Sequence, residues 1–209
     1  MRFLPARPIG EVRNGTIVVV SEPVSISEKY LEGMDWNLNR KLGKAFTYWS
    51  FIAKTNFDFG GSVKRIKPET FELTITGVRI VLSLPITMWL PYGVAGSLHE
   101  HENGHRRICE RLYSRAPGFA VECAKPLIGQ TLEVSAKNRM EAERVANLQL
   151  HVRFATCYAE HTQKAADKIN DIFDEVTNHG LNKVPVTEGI ETSFKRFKEK
   201  ELEIHPNDN

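Results

Sequence analysis

The chain has 209 residues, 28 Lys and Arg against 26 Asp and Glu, and 41% hydrophobic residues. These are ordinary globular values that exclude a disordered or fibrous chain, and the near-neutral balance gives no electrostatic grip on nucleic acid or an anionic membrane. The longest apolar stretch, Ile80 to Leu90, is broken by Ser83, Pro85 and Thr87 and is too short to span a bilayer. The length predicts one enlarged domain over residues 1–209.

Residues 1–92 read as β-rich. Ile17 to Val20 is a β-branched run, Phe46 to Ala53 mixes aromatic and β-branched residues ahead of Gly60-Gly61, and Phe71 to Thr76 alternates apolar and polar with period two. Arg79 to Leu84 leads into Pro85, and Ile86 to Leu90 ends at Pro91. The expectation is an antiparallel sheet built from hairpins.

From residue 94 to 209 the period becomes helical. Leu98, His101, His105, Ile108 and Leu112 share one face, with Pro117-Gly118 as the stop. Val145, Leu148, Val152, Ala155, Ala159, Thr162, Ala166, Ile169, Phe173 and Val176 form a stripe along a second helix from about Lys137 to Asn178. In one piece it would be roughly 60 Å long, so a bend or a projecting end is expected. His179-Gly180 closes it, and Gly189 to Lys200 predicts a short charged terminal helix. The fold class is α+β, with the sheet packed on the helical half and the site between them.

The stretch with chemical content is His101-Glu102-Asn103-Gly104-His105, an HExxH sequence. Residues four apart on a helix lie one above the other, so both imidazoles reach one Zn²⁺. Glu102 lies about 100° round the helix, placed to work on a water as general base without ligating the ion. Such a site needs a third protein ligand. Ile108 and Arg111 stand where the extended motif has Gly and His, so the ligand comes from elsewhere: Glu141, Glu143, His151, His161 or His179 by residue type.

His99 falls on the wrong helical face. Tyr158 and His161 are placed either to donate to an oxyanion or to pack with satisfied polar tips. Cys109 reads as a buried thiol. Three cysteines allow at most one bridge, Cys123 with Cys157 if the protein is exported. The first eight residues lack a basic region followed by an apolar run, so either the protein is not exported or a signal was removed before this numbering begins.

His-Glu-Asn-Gly-His, followed by Phe173-Asp174-Glu175-Val176-Thr177-Asn178-His179-Gly180, resembles a bacterial family of predicted secreted zinc-dependent proteases, long filed as a domain of unknown function. The resemblance spans about Tyr48 to Gly180. It implies a zincin-like α+β fold, one catalytic Zn²⁺ on His101, His105 and His179, Glu102 as general base, and a peptide or protein substrate. Asp174 is then either placed to orient a ligand imidazole or is a solvated helix-end carboxylate. The chain departs from the family at Phe173, where that family has Tyr. The implied location is secreted or periplasmic after signal removal, with a cytoplasmic one the other option. The alternative function is a non-catalytic cell-envelope binding or assembly module with a structural metal.

Overall fold

The computed structural model describes residues 10–31, 45–67, 69–93 and 96–204. The chain is a mixed α+β protein with two sheets, and its elements group into two compact units. Among the described residues no helix is long and apolar enough to cross a membrane.

The first unit holds β1 (Gly10–Asn14), β2 (Ile17–Ser21), β5 (Ile52–Lys67), β6 (Thr70–Ser83), α2 (Ala116–Ala124), β8 (Thr131–Ser135) and α3 (Arg139–His161). Its sheet runs β1-β2-β6-β5, and β8 joins β6. The 14-residue β6 is the spine. Its Phe71, Leu73, Ile75, Val78, Ile80 and Leu82 are buried, and the alternation shifts phase at Gly77, opposite a register shift after Asp58 in β5. α3 packs on β5, β6 and β8 through Ala142, Ala146, Leu150, Phe154 and Tyr158, a run at strict four-residue spacing. The predicted stripe is therefore rotated in this helix: Leu148 and Val152 are 60% and 57% exposed. Two alanines let the helix approach the sheet, and that close contact decides the buried face over the larger Leu and Val. Asn138 caps α3 by accepting from Glu141 N–H at 3.0 Å, and the Glu141 carboxylate accepts from Lys137 N–H at 3.0 Å. A disulfide between Cys123 and Cys157 joins α2 to α3.

The second unit holds β3 (Ser25–Leu31), β4 (Phe46–Trp49), β7 (Pro85–Pro91), α1 (Gly96–Tyr113), α4 (Gln163–Thr177) and α5 (Val186–Ile204). Its three strands run β3-β7-β4. β7 alternates without a break, burying Ile86, Met88 and Leu90. α1 packs on β4 and β7 and on α4 and α5, with Leu98 against Ala45, Met88 and Leu90.

Several expectations are corrected. The sheet is not purely antiparallel: β2 pairs with β6, and β3 with β7, in parallel. These partners lie about sixty residues apart, so local turn signals carry no information on their direction. Phe46 to Ala53 is two strands in two sheets, not one. Pro117 does not stop α1, which ends at Tyr113; it sits in the first turn of α2, where a missing N–H costs nothing. The long helix is interrupted at Thr162, which leaves helical geometry (φ −123°, ψ −81°) and donates its hydroxyl to Tyr158 C=O at 2.6 Å. A strand, β8, lies in the half read as helical.

Candidate metal centre

His101 to His105 lie in the middle of α1, and His101, Glu102 and His105 are all buried. Opposite them, α4 presents Asn170, Phe173, Asp174 and Thr177 at three- and four-residue spacing, one face of the helix. Phe173 is fully buried behind the imidazoles, stacked on His101 (5.1 Å between centroids) and edge-on to His105 (5.2 Å). Position 104 must stay small: a Cβ there would meet Phe173 Cζ at 2.4 Å. The same packing gives Phe173 its role. Its ring is a buttress behind the histidines, not a group facing the cleft.

The end of α4 is built to approach His101. Asn178, His179 and Gly180 are all left-handed, with φ of 47°, 53° and 76°, and His179 N–H donates to Asp174 C=O at 2.9 Å. A Cβ on Gly180 would lie 3.0 Å from His101 Cβ and Cγ, so conformation and space both require glycine there.

The orientation of each imidazole follows from its partners. Asn170 Nδ2 donates to Ala166 C=O at 2.7 Å, which leaves its Oδ1 as the acceptor for His105 Nδ1–H, also at 2.7 Å. Thr177 spends its proton on Phe173 C=O at 2.6 Å, so its oxygen accepts from His101 Nδ1–H at 3.4 Å. Both rings thus turn Nε2 lone pairs to the same point. The two Nε2 atoms are 3.2 Å apart, and Asp174 Oδ1 stands 3.0 Å from that of His101 and 3.2 Å from that of His105.

Three lone pairs in a triangle of that size repel one another unless a cation is shared among them. Protons on the imidazoles meet this need in part, as hydrogen bonds to Asp174; a metal ion meets it for all three atoms at once. Ligand atoms held about 2.0–2.1 Å from a tetrahedral ion stand about 3.3 Å apart, close to the observed edges. Without an ion, protons and the carboxylate stabilise one another. Burial on its own lowers the pKa of His105, but the hydrogen bond and charge of Asp174, together with the Glu102 charge and the Asn170 hydrogen bond, more than reverse it, so the net shift is upward. Burial on its own raises that of Asp174, and its hydrogen bonds to His101 and His105 hold it well below the usual carboxylate range.

Glu102 lies beside this triangle. Its Oε2 accepts the Thr47 hydroxyl at 2.7 Å, and the same hydroxyl is 3.3 Å from its backbone carbonyl. Trp49 stacks on His105 at 6.1 Å and donates its indole N–H to Asp167 at 3.1 Å. A cleft of about 380 Å³ opens here, with Ala45, Phe46, Trp49 and Leu98 as an apolar wall facing His101, Glu102, His105, Asp174 and His179.

The sequence-expected residues separate cleanly. His101, Glu102, His105, Asp174 and His179 come together. His179 Nδ1 is 3.5 Å from Asp174 Oδ1, with a side chain 57% exposed. His99 sits on another face with Asn103 and Glu28.

The remaining candidates belong to the first unit, in packing or capping roles. His151 meets the Thr55 hydroxyl at 3.0 Å, Glu141 caps α3, and Glu143 pairs with Arg139. Tyr158 stacks on Phe154, and His161 on Phe119. His161 also lies near Cys123 and Cys157, but a disulfide consumes the thiolates that a metal would need.

Burial pushes the Cys109 thiol up to about 12. Residues that sequence reasoning missed are Thr47, Trp49, Asn170 and the direct placement of Asp174; the i, i+4 pair Asn170–Asp174 was the available signal. The chain matches no family model, no curated protein and no solved structure.

Proposed function

We propose that the chain is a zinc-dependent hydrolase of peptide or other amide bonds, with His101, His105 and Asp174 as the protein ligands of one Zn²⁺. The convergence of two Nε2 lone pairs and one carboxylate oxygen within 3.0–3.2 Å, beside a buried glutamate, supports this reading. It gives Asp174 the position that the family resemblance assigns to His179. When bound, the ion lowers the pKa of a water and polarises the scissile carbonyl.

The residues of the chain do the rest. Glu102 takes a proton from the attacking water and returns it to the leaving amine. His179, at the edge of the cleft, donates to the developing oxyanion. Among the described strands β4 pairs with β7 alone, and its other edge takes an extended peptide by strand addition. The Cys123–Cys157 bridge supports a secreted or periplasmic location.

The test is metal analysis of natively expressed protein together with Glu102→Gln and Asp174→Ala. One equivalent of zinc is expected in the wild type, metal retained and turnover lost in the first variant, and metal lost in the second. Protein free of transition metal, or Asp174→Ala with full zinc, refutes the assignment.

The 3.5 Å between His179 Nδ1 and Asp174 Oδ1 favours a second reading, in which His179 is a fourth protein ligand and the metal is structural. The chain is then a cell-envelope binding or assembly module. A closed site of this kind leaves the visible spectrum of the Co²⁺ protein unchanged on adding acetohydroxamate; an open one changes it.

A further inference from the structure

We infer that Thr47 is a positioning residue for Glu102, fixing which carboxylate oxygen is free to act as the base. The inference deepens the hydrolase reading and rests on it. A hydroxyl has one proton, and the 2.7 Å contact to Glu102 Oε2 takes it in preference to the 3.3 Å contact to Glu102 C=O. Oε2 thereby has one of its two lone pairs engaged, and Oε1 is the more basic oxygen for the proton transfer.

The donor is itself held rigidly. Thr47 is β-branched, so its χ1 has few options. It lies in β4 in register with Met88 of β7, a residue with 0% exposure. Glutamate, by contrast, has a long and rotamer-rich side chain whose freedom must be removed before it can work as a base. The hydroxyl supplies that restraint from an element other than the helix carrying Glu102. An extended substrate paired to the edge of β4 that no described strand occupies would stiffen the same strand, so docking the substrate also steadies the base.

The experiment uses the full chain loaded with Co²⁺ and acetohydroxamate as the probe. Binding a hydroxamic acid to an open site requires its proton to pass to the neighbouring carboxylate, so affinity reports on Glu102 without any substrate. Thr47→Val is expected to weaken hydroxamate binding roughly tenfold or more, the scale of a lost hydrogen bond to a charged acceptor, while metal affinity, measured against a chromophoric chelator, stays within about twofold. Thr47→Ser, which keeps the hydroxyl, is expected to restore wild-type binding.

With a turned-over peptide, the loss in Thr47→Val is expected in kcat and not in KM. Hydroxamate binding by Thr47→Val equal to wild type overturns the inference. So does a serine variant as weak as the valine one, or a loss of metal or folded structure in Thr47→Val, since each makes Thr47 a packing residue. A wild-type Co²⁺ protein that binds no hydroxamate instead removes the open-site reading on which the inference stands.

Discussion

Gly104→Ala is the sharpest probe of how the α1–α4 contact is built. On a helix surface the change stabilises by up to about 1 kcal/mol, because alanine loses less backbone entropy. Here the new Cβ would stand 2.4 Å from Phe173 Cζ, 2.8 Å from Cε1 and 3.1 Å from Val186 Cγ1, where ordinary contacts are 3.4–4 Å. The ring must retreat by about 1 Å. It has little room to do so: a Cβ on Gly189 would already be 3.0 Å from Cε2 on its other side, and His101 stacks on its face.

Overpacking of this kind costs about 1–3 kcal/mol, and a 2.4 Å contact belongs at the upper end of that range, so a net destabilisation of about 1–2 kcal/mol remains after the helix gain. For a chain of this size that lowers Tm by about 2–8 °C, measured by circular dichroism on metal-free protein. The cause is checked by combining Gly104→Ala with Phe173→Leu. Against the smaller side chain the alanine is expected to cost much less, giving a coupling energy of about 1 kcal/mol or more. A Gly104→Ala protein as stable as wild type or more so refutes the close-packing argument.

Three further outcomes are expected. Asn170→Ala removes the acceptor that fixes His105 Nδ1–H and is expected to weaken zinc affinity about 10- to 100-fold in a chelator competition, with the helical signal retained. Breaking the Cys123–Cys157 bridge, which closes a separation of 34 residues, is expected to cost about 3–4 kcal/mol in the chain-entropy model, read from denaturant unfolding with and without reductant. In metal-free protein the Asp174 carboxyl sits below its ordinary value of 3.8, so its contribution is present above that value and is lost as pH falls below it toward the lowered folded-state value. Acid unfolding of the wild type is therefore expected to be steeper below about pH 4 than that of Asp174→Asn, and equal slopes would refute the pairing.

What the sequence reveals and what it conceals have a common physical origin. The α1 residues were legible because a 3.6-residue period and an i, i+4 His pair are local patterns. Gly180 was legible as a helix stop, but its contact with His101 was not, because that contact joins residues 79 apart. Asp174 was visible as a carboxylate near His179, yet only the packing of α4 on α1 puts its oxygen at both Nε2 atoms. Thr47 carried no signal at all: a threonine in a short strand looks the same whether its hydroxyl meets water or Glu102. The rotated stripe of α3 shows the limit of periodicity, since Leu148 and Val152 fit a helical period as well as Ala142 and Ala146, and only the sheet beneath chooses between them. β8 was readable after the fact, with Leu132 and Val134 alternating against Thr131, Glu133 and Ser135.

The grouping of elements has a bearing on how this chain is made and cut. The polypeptide passes from one unit to the other at 23/24, 50/51, 84/85, 113/114 and 162/163, so neither unit is a continuous stretch. No terminal truncation isolates either half, and a protease nick at any of these five crossings leaves at least one half divided between two fragments or joined to part of the other. During synthesis the helix bearing His101 and His105 leaves the ribosome some seventy residues before Asp174. The two imidazoles therefore meet their carboxylate only after that further length of chain has been made.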